Sequence, residues 1–295
     1  MPVTVIQCPL CSSGRSNSFD RRKFRSFPVE NRICQDCGLV YQSPRMTEGE
    51  MAVYYQAEYR RTYQGVEGPI VRDLAVQTAR AQSLLGFVRP HIAFIDRCLD
   101  IGCSTGLILQ YLRDHYGCQP VGIEPGDAYR AYAQGQGLTV YTSLDELEKA
   151  GENCFSLISM SHVLEHLPNP VGYLSHLREK LIEPDGWLLI EVPNLYAHDS
   201  FEVAHLVAFS PHTLQEVLRC SGFIVVKIEQ HGRPNSQILP LYLTILCRPA
   251  AQQDLSPVRP ERGVALKRRA GMFWRRILAR LFPKRAWIHI EESFT

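Results

Sequence analysis

Four cysteines in two pairs, Cys8-Pro9-Leu10-Cys11 and Cys34-Gln35-Asp36-Cys37, carry the first chemistry this sequence offers. Thiolates at C-x-x-C spacing suit a tetrahedral zinc ion. Because Cys8, Cys11, Cys34 and Cys37 would fill all four positions, the ion would be structural rather than catalytic. The 22 residues between the pairs slightly exceed the usual separation of about 15–20. Two redox dithiols or packed thiols are the competing reading, but a segment of about 40 residues so poor in aliphatics needs a metal staple to fold. The second chemistry is in Leu99-Asp100-Ile101-Gly102-Cys103-Ser104-Thr105-Gly106, an apolar strand running through a glycine turn into a helix. Glycines let a ligand approach the backbone, and the helix N-terminus offers N–H groups to an anionic group such as a carboxylate. Twenty-two residues after Gly102, the run Val121-Gly122-Ile123 ends in Glu124, whose carboxylate can accept from both hydroxyls of a ribose. Together these form a nucleoside pocket at the carboxyl ends of two neighbouring strands.

Two other motifs share these letters. Gly102-Cys103-Ser104-Thr105-Gly106 also spells G-x-S-x-G, the nucleophile elbow of α/β-hydrolases. An elbow serine follows several strands and an oxyanion loop, whereas here the motif opens the first clear strand, and a hydrolase gives Glu124 no role. His162-Val163-Leu164-Glu165-His166 matches H-x-x-E-H, a zinc-protease pattern that needs a continuous helix to bring both histidines to one face. Pro168 and Pro170 argue against that helix, and the preceding apolar run Phe155–Met160 places the motif at a strand end lining a cleft. His166 then either packs and caps or takes part in catalysis.

These residues need a scaffold. Short β-rich runs (Cys98–Ile101, Pro120–Glu124, Leu138–Tyr141, Phe155–Met160, Trp187–Val192) alternate with helices starting near Thr105, Gly126, Ser143 and Asn169. Such alternation specifies an α/β fold: a doubly wound, mostly parallel sheet with helices on both faces. After a helix near Pro211–Cys220, the runs Phe223–Ile228 and Ile238–Cys247 follow with only a loop between them. They are expected to close a seven-stranded sheet as an antiparallel pair, leaving the final strand antiparallel. The expected organisation is a zinc-ribbon module at 1–45, a Tyr-rich helical connector or lid at 46–95, the main domain at 96–248 and a basic tail at 249–295.

The ordered set of motifs from 96 to about 230 resembles the class I S-adenosylmethionine-dependent methyltransferases, with a Rossmann-like fold. The likeness runs through Phe155–Ile158, His162–Pro168, Pro184–Asn194, His205–Ser210 and Ser221-Gly222-Phe223. By that resemblance, Asp100, Gly102, Ser104 and Gly106 would line the methionine and ribose end of the cofactor, and Glu124 would hold the ribose. Ser143 and Leu144 would flank the adenine, and Ser161 and His162 would close the pocket. Ser104 stands where the family often has glycine, and Ser156 where it often has aspartate. The ribbon with Cys37–Arg45 resembles bacterial methyltransferases with an N-terminal zinc module, several of which modify sugars or polysaccharide precursors. In the sugar C-methyltransferases a Glu-His pair before the Phe-Ser step moves protons. Here Ala204 precedes His205, so half of that pair is missing; His205 is still the first candidate base, ahead of His162, His198 and His212. In the connector, Tyr59 would contact the cofactor if the segment is a lid; the alternative is an amphipathic helix packed on the sheet.

Charge and hydropathy bound the partners. Residues 249–295 hold ten basic against four acidic side chains, leaving 22 against 26 in the rest. Attraction to anionic surfaces therefore resides in the tail. Over 264–285, Phe273, Trp274, Ile277, Leu278, Leu281 and Phe282 recur at helical spacing among arginines, which predicts either peripheral contact with a membrane or a helix docked on its own domain or on a second subunit. No run approaches a membrane span and no signal sequence opens the chain, so a cytoplasmic protein is expected, with any membrane contact at the inner face. The sequence thus predicts an enzyme that methylates a small-molecule or saccharide acceptor with S-adenosylmethionine, with Zn2+ in the ribbon. A ribosomal RNA methyltransferase and a non-catalytic cofactor-binding protein are the alternatives. The acidic balance of residues 1–248 argues against a nucleic-acid partner.

Overall fold

The computed structural model describes residues 2–24, 27–47, 49–50 and 68–288. Near the N-terminus, β1 (Ser16–Phe24) and β2 (Phe27–Cys34) form an antiparallel hairpin, and β3 (Val40–Gln42) pairs antiparallel with β2. The Cys34–Cys37 knuckle turns back through Gly38 at φ +83, a left-handed conformation that costs glycine little.

The rest alternates as its periodicity requires. Helix α1 (Val71–Val88) precedes β4 (Arg97–Ile101), followed by α2 (Leu107–Tyr116), β5 (Gln119–Ile123), α3 (Asp127–Gly135), β6 (Thr139–Tyr141), α4 (Leu144–Lys149) and β7 (Phe155–Ser161). Then come α5 (Pro170–Lys180), β8 (Ile182–Pro193), the short β9 (Val207–Ala208), α6 (Pro211–Cys220), β10 (Phe223–His231) and β11 (Tyr242–Pro249). The main sheet has seven strands in the order β10-β11-β8-β7-β4-β5-β6, and β11 runs antiparallel to both its neighbours. This is the expected sheet with its reversed final strand. The last strand begins at Tyr242, four residues later than its apolar run suggests, because Pro240 has no N–H to give a ladder. In the other direction, β8 begins at Ile182 rather than Trp187, since Ile182 pairs with Phe155 ahead of a register shift.

Leu99, Ile158, Leu188 and Ile190 are fully buried between the helical layers, each contributing roughly 1.5–3 kcal/mol by leaving water. The cysteine-flanked module is not a bead on a string. β9, from the main domain, adds antiparallel to β3 and completes a four-stranded sheet, β1-β2-β3-β9. Cys8, Val29, Leu39 and Tyr41 share one continuous hydrophobic cluster with Leu99, Ile158 and Phe209.

The basic tail forms α7 (Val264–Leu281) and α8 (Pro283–Ala286). One face of α7 docks on its own domain. Val264 is buried, and Gly271 lies so close to the Tyr196 carbonyl that no Cβ would fit. Arg268 sits over the Phe201 ring at 4.1 Å and donates to the carbonyls of Leu195 and His198. Its opposite face leaves Phe273, Trp274 and Leu281 exposed beside Arg269, Arg276 and Arg280. No helix among the described residues is long and apolar enough to cross a membrane.

Candidate functional site

Strand order reverses between β4 and β7, which opens a crevice at the carboxyl ends of the parallel strands. A cavity of about 1070 Å³ occupies it. At its floor the chain leaves β4 through Gly102 (φ +76), Ser104 (φ +52) and Gly106 (φ +77) before entering α2. Three left-handed residues in five explain the glycine habit of this turn, and Ser104 tolerates its conformation through two polar ties. Its N–H donates to Glu124 Oε2 at 2.9 Å, and Gln77 Nε2 donates to its hydroxyl at 3.0 Å. Glu124, just past β5, also accepts from the Gly126 N–H through Oε1 at 2.8 Å. The turn and the carboxylate are thus locked together before any ligand arrives.

Asp100 lies under this turn, fully buried. Ser159 donates to its Oδ1 at 2.7 Å, while Oδ2 has no hydrogen-bond partner among the described residues. Burial lifts its pKa to about 7, against the pull of Ser159 and with Glu124's charge adding to the rise. An orphaned buried carboxylate oxygen beside a glycine cradle fits the polar methionine end of the expected cofactor. Ser143 lines the cavity beyond β6, and its hydroxyl accepts from the Glu146 N–H as the cap of α4. Ser161 and His162 line it at the end of β7. Leu144 instead packs, partly buried, against the main hydrophobic cluster; Gly106 and Asp100 support the floor from behind. Tyr59 lies outside the described residues. Ser156 sits at the opposite, amino-terminal end of β7, where its hydroxyl accepts from the Asp96 and Arg97 N–H groups. Its departure from aspartate therefore falls far from the cavity.

The second half of the cavity has different walls. Val3 and Arg45 reach it from the cysteine-flanked module and Met46 and Thr47 from the residues just after it, on the side lined also by His166, Leu167, Tyr173 and Leu206. His162, at φ +56, stands where the halves meet. Its Nδ1 lies 3.3 Å from Glu165 Oε1 and its Nε2 3.4 Å from Glu191 Oε1. Burial and Arg80 push its pKa down, but the two carboxylates prevail and raise it. Glu191 is held by Arg80 at 3.4 Å, Thr244 at 2.9 Å and His231 at 3.4 Å. Burial alone would raise its pKa; these partners drop it well below the usual carboxylate range.

His166 lines this second half, and burial lowers its pKa to about 4. His205 stands behind it, ring centroids 4.8 Å apart, with its pKa also lowered by burial. Of the weaker candidates, His198 packs near Tyr242, and His212 bonds the Arg259 carbonyl away from the cavity. H-x-x-E-H is no α-helix here: β7 ends at Ser161 and residues Leu164–His166 form one 3-10 turn. Arg80, Gln77, Glu191 and Tyr242 were not singled out from sequence. Glu191 was detectable, as a charge interrupting the apolar run of β8. Arg80 and Gln77 carry no such signal on their amphipathic helix.

The four paired cysteines converge, with all sulfurs within 4.8 Å of one another and Cys8–Cys37 and Cys11–Cys34 contacts of 3.5 Å. Thiolates about 2.3 Å from a tetrahedral zinc stand apart by nearly that much, so the set fits the ion.

Residues 59–228 match a family described as a methyltransferase domain. Among curated proteins, the ubiquinone biosynthesis O-methyltransferase of Cereibacter sphaeroides is 32% identical over 105 residues, covering 33% of this chain and 41% of that protein. The enzyme of the same name from Hahella chejuensis is 30% identical over 86 residues, 27% and 36% of the two chains. The chain therefore spans about two fifths of these relatives' length. Among solved structures, 1,6-didemethyltoxoflavin-N1-methyltransferase from Burkholderia thailandensis superposes with a TM-score of 0.56 at 19% identity, over 78% of this chain and 99% of that one. An S-adenosylmethionine-dependent methyltransferase from Archaeoglobus fulgidus gives 0.50 at 21% identity, over 64% and 97%. At these identities the two superpositions speak to the fold alone.

Proposed function

The chain belongs to the methyltransferase-domain family, and from that premise we propose that it transfers the methyl group of S-adenosylmethionine to an oxygen on a small-molecule acceptor, saccharide derivatives included. The observation that carries this reading is the two-part cavity. One half has the glycine turn and Glu124; the other, walled by the cysteine-flanked module, adjoins it at His162. Small-molecule sites typically enclose about 300–1,000 Å³, and 1070 Å³ suits a cofactor and an acceptor held together.

In this reading Asp100, Gly102, Ser104 and Gly106 form the floor for the methionine and ribose end. Glu124 takes the ribose hydroxyls, Ser143 edges the adenine, and Ser161 and His162 close the middle. The relatives named as O-methyltransferases support an oxygen acceptor. Methyl transfer from a sulfonium is an in-line displacement, so the main task of the protein is to hold the acceptor in line with the methyl carbon. His166, whose Nδ1–H is held by the Ala204 carbonyl and whose ring packs on His205, would take the hydroxyl proton in the protein with no metal at this ring. The ribbon would keep its zinc as a structural staple, since all four ligands are protein thiolates. Further, the exposed aromatic and basic face of α7 supports peripheral contact with an anionic membrane surface.

Incubating the full chain with methyl-labelled cofactor and fractionated cell extract tests the proposal. Label in small molecules or saccharides, lost in Glu124→Gln, is the expected result. Label confined to RNA or protein would overturn it.

A further inference from the structure

The turn that follows β7 brings together three side chains the methyl-transfer scheme does not need as a group. Glu165, His166 and His205 each present a donor atom, and the three atoms lie within 4.8 Å of one another. The backbone builds this convergence. The Leu206 N–H donates to the Glu165 carbonyl at 2.8 Å, which brings the His205 segment against the turn.

Both imidazoles are held in one orientation by a carbonyl. His166 Nδ1 is 2.9 Å from the Ala204 oxygen, and His205 Nδ1 is 2.7 Å from the Ser200 oxygen. A carbonyl only accepts, so each Nδ1 carries the proton and each lone pair is on Nε2. An Nδ1–H bonded to a backbone carbonyl is the outer-shell arrangement that fixes the tautomer of metal-ligating histidines. Glu165 supplies the independent observation. It is 1% exposed, and neither carboxylate oxygen makes a hydrogen bond among the described residues. Its charged neighbour there is His162 at 3.3 Å, a ring it shares with Glu191. A buried carboxylate met only by imidazoles, with neither oxygen in a hydrogen bond among the described residues, is chemically suited to a cation.

We propose that Glu165, His166 and His205 form a second metal site, distinct from the four-cysteine site, that binds a divalent first-row transition cation through two imidazole nitrogens and one carboxylate. Two histidines and one carboxylate occupy three positions of such an ion and leave others open. His166 lines the cavity, so a cation held by it would lie at the cavity wall, within reach of an acceptor oxygen. That role rests on the methyltransferase reading and, with the cation bound, takes the place of His166 as the base, the cation itself making the acceptor hydroxyl more acidic; the binding of the cation does not rest on that reading. The H-x-x-E-H spacing supplies only two of the ligands, because the segment is not an α-helix and the third comes from His205, 39 positions beyond His166.

The test titrates zinc-loaded full-length protein with Co2+, followed by calorimetry and visible absorption. One further equivalent without thiolate-to-metal charge transfer is expected. Glu165→Gln and His205→Asn should each weaken it by at least about tenfold, while the ribbon zinc and binding of S-adenosylhomocysteine are retained as checks on folding. If the wild-type protein takes up no further Co2+, or if both folded variants bind it as tightly as wild type, the site does not exist. Loss of S-adenosylhomocysteine binding by the wild-type protein would instead sink the methyltransferase reading and leave the metal result standing.

Discussion

Replacing Glu124 by glutamine changes no volume and removes one charge, which makes it the sharpest probe of the nucleoside half of the cavity. A carboxylate offers about four lone-pair positions. The Ser104 N–H at 2.9 Å donates to Oε2 and the Gly126 N–H at 2.8 Å to Oε1, so each oxygen has a protein donor, and in the proposed complex each also takes a ribose hydroxyl. In Glu124→Gln one oxygen becomes an NH2 group that cannot accept. It then faces either the Ser104 or the Gly126 N–H as donor against donor, and one ribose hydroxyl loses its acceptor. A hydrogen bond to a charged partner contributes about 1.5–3 kcal/mol. Glu124 is 5% exposed, so water can replace little of it. Loss of one such bond corresponds to a roughly 10- to 150-fold weaker Kd for S-adenosylhomocysteine. Calorimetric titration measures this directly, with the thermal midpoint reporting any damage to the turn itself. A folded variant that binds within threefold of wild type would refute the assignment of Glu124 to the ribose.

Chelating the ribbon zinc should lower the thermal midpoint by ~5 °C or more, because Cys8, Leu39 and Tyr41 belong to the same core as Leu99 and Ile158. It should also raise the acceptor KM more than the cofactor Kd, since in the proposed reading Val3 and Arg45 line the acceptor side, where Arg45 donates to the Pro168 carbonyl; equal effects would argue against that division. Gly102→Ala places a Cβ 2.6 Å from Val163 Cγ2 at φ +76, so urea unfolding should show a loss of about 1–3 kcal/mol. Adding Val163→Ala should recover the steric part and leave the backbone part. For Asp100, with a folded pKa of about 7 against roughly 3.9 when unfolded, the native chain between those values holds a proton that the unfolded chain has lost. Its contribution therefore makes stability fall as pH rises from about 4 to 7. Asp100→Asn should remove that component, and wild-type and variant stability curves running parallel across this interval would contradict it. Finally, anionic liposomes should carry the full chain upward in flotation, and Phe273→Ser with Trp274→Ser should abolish this while leaving Arg268 and its docking intact; equal flotation of both proteins would dismiss the membrane face.

The cofactor half was legible because its signals are local. Gly102, Ser104 and Gly106 fall within five residues, and Glu124 is fixed by the next strand of a regular α/β alternation, so spacing alone placed them together. The same holds for the four cysteines, whose chemistry leaves one economical arrangement. Leu144, next to the cavity-lining Ser143, packs against the main hydrophobic cluster, a contact its position in the chain does not reveal. In the tail, sequence showed an amphipathic helix but could not say which face docks. The structure seats the face bearing Val264, Arg268 and Gly271, because the buried arginine finds the Leu195 and His198 carbonyls and Gly271 admits the Tyr196 backbone.

What the sequence determined by itself is therefore everything carried by short-range geometry: strand, turn and helix periods, the conformational demands of glycine, and the ligand spacing of the thiols. Only the tertiary structure decided that β9 would join the N-terminal sheet, that Val3 and Arg45 of this module would line the cavity, and that Arg80 would meet Glu191 and His205 would meet Glu165. Those meetings depend on closing long loops onto a common core. Their positions follow from how the buried faces pack, a sum over many weak contacts that no local stretch of residues encodes.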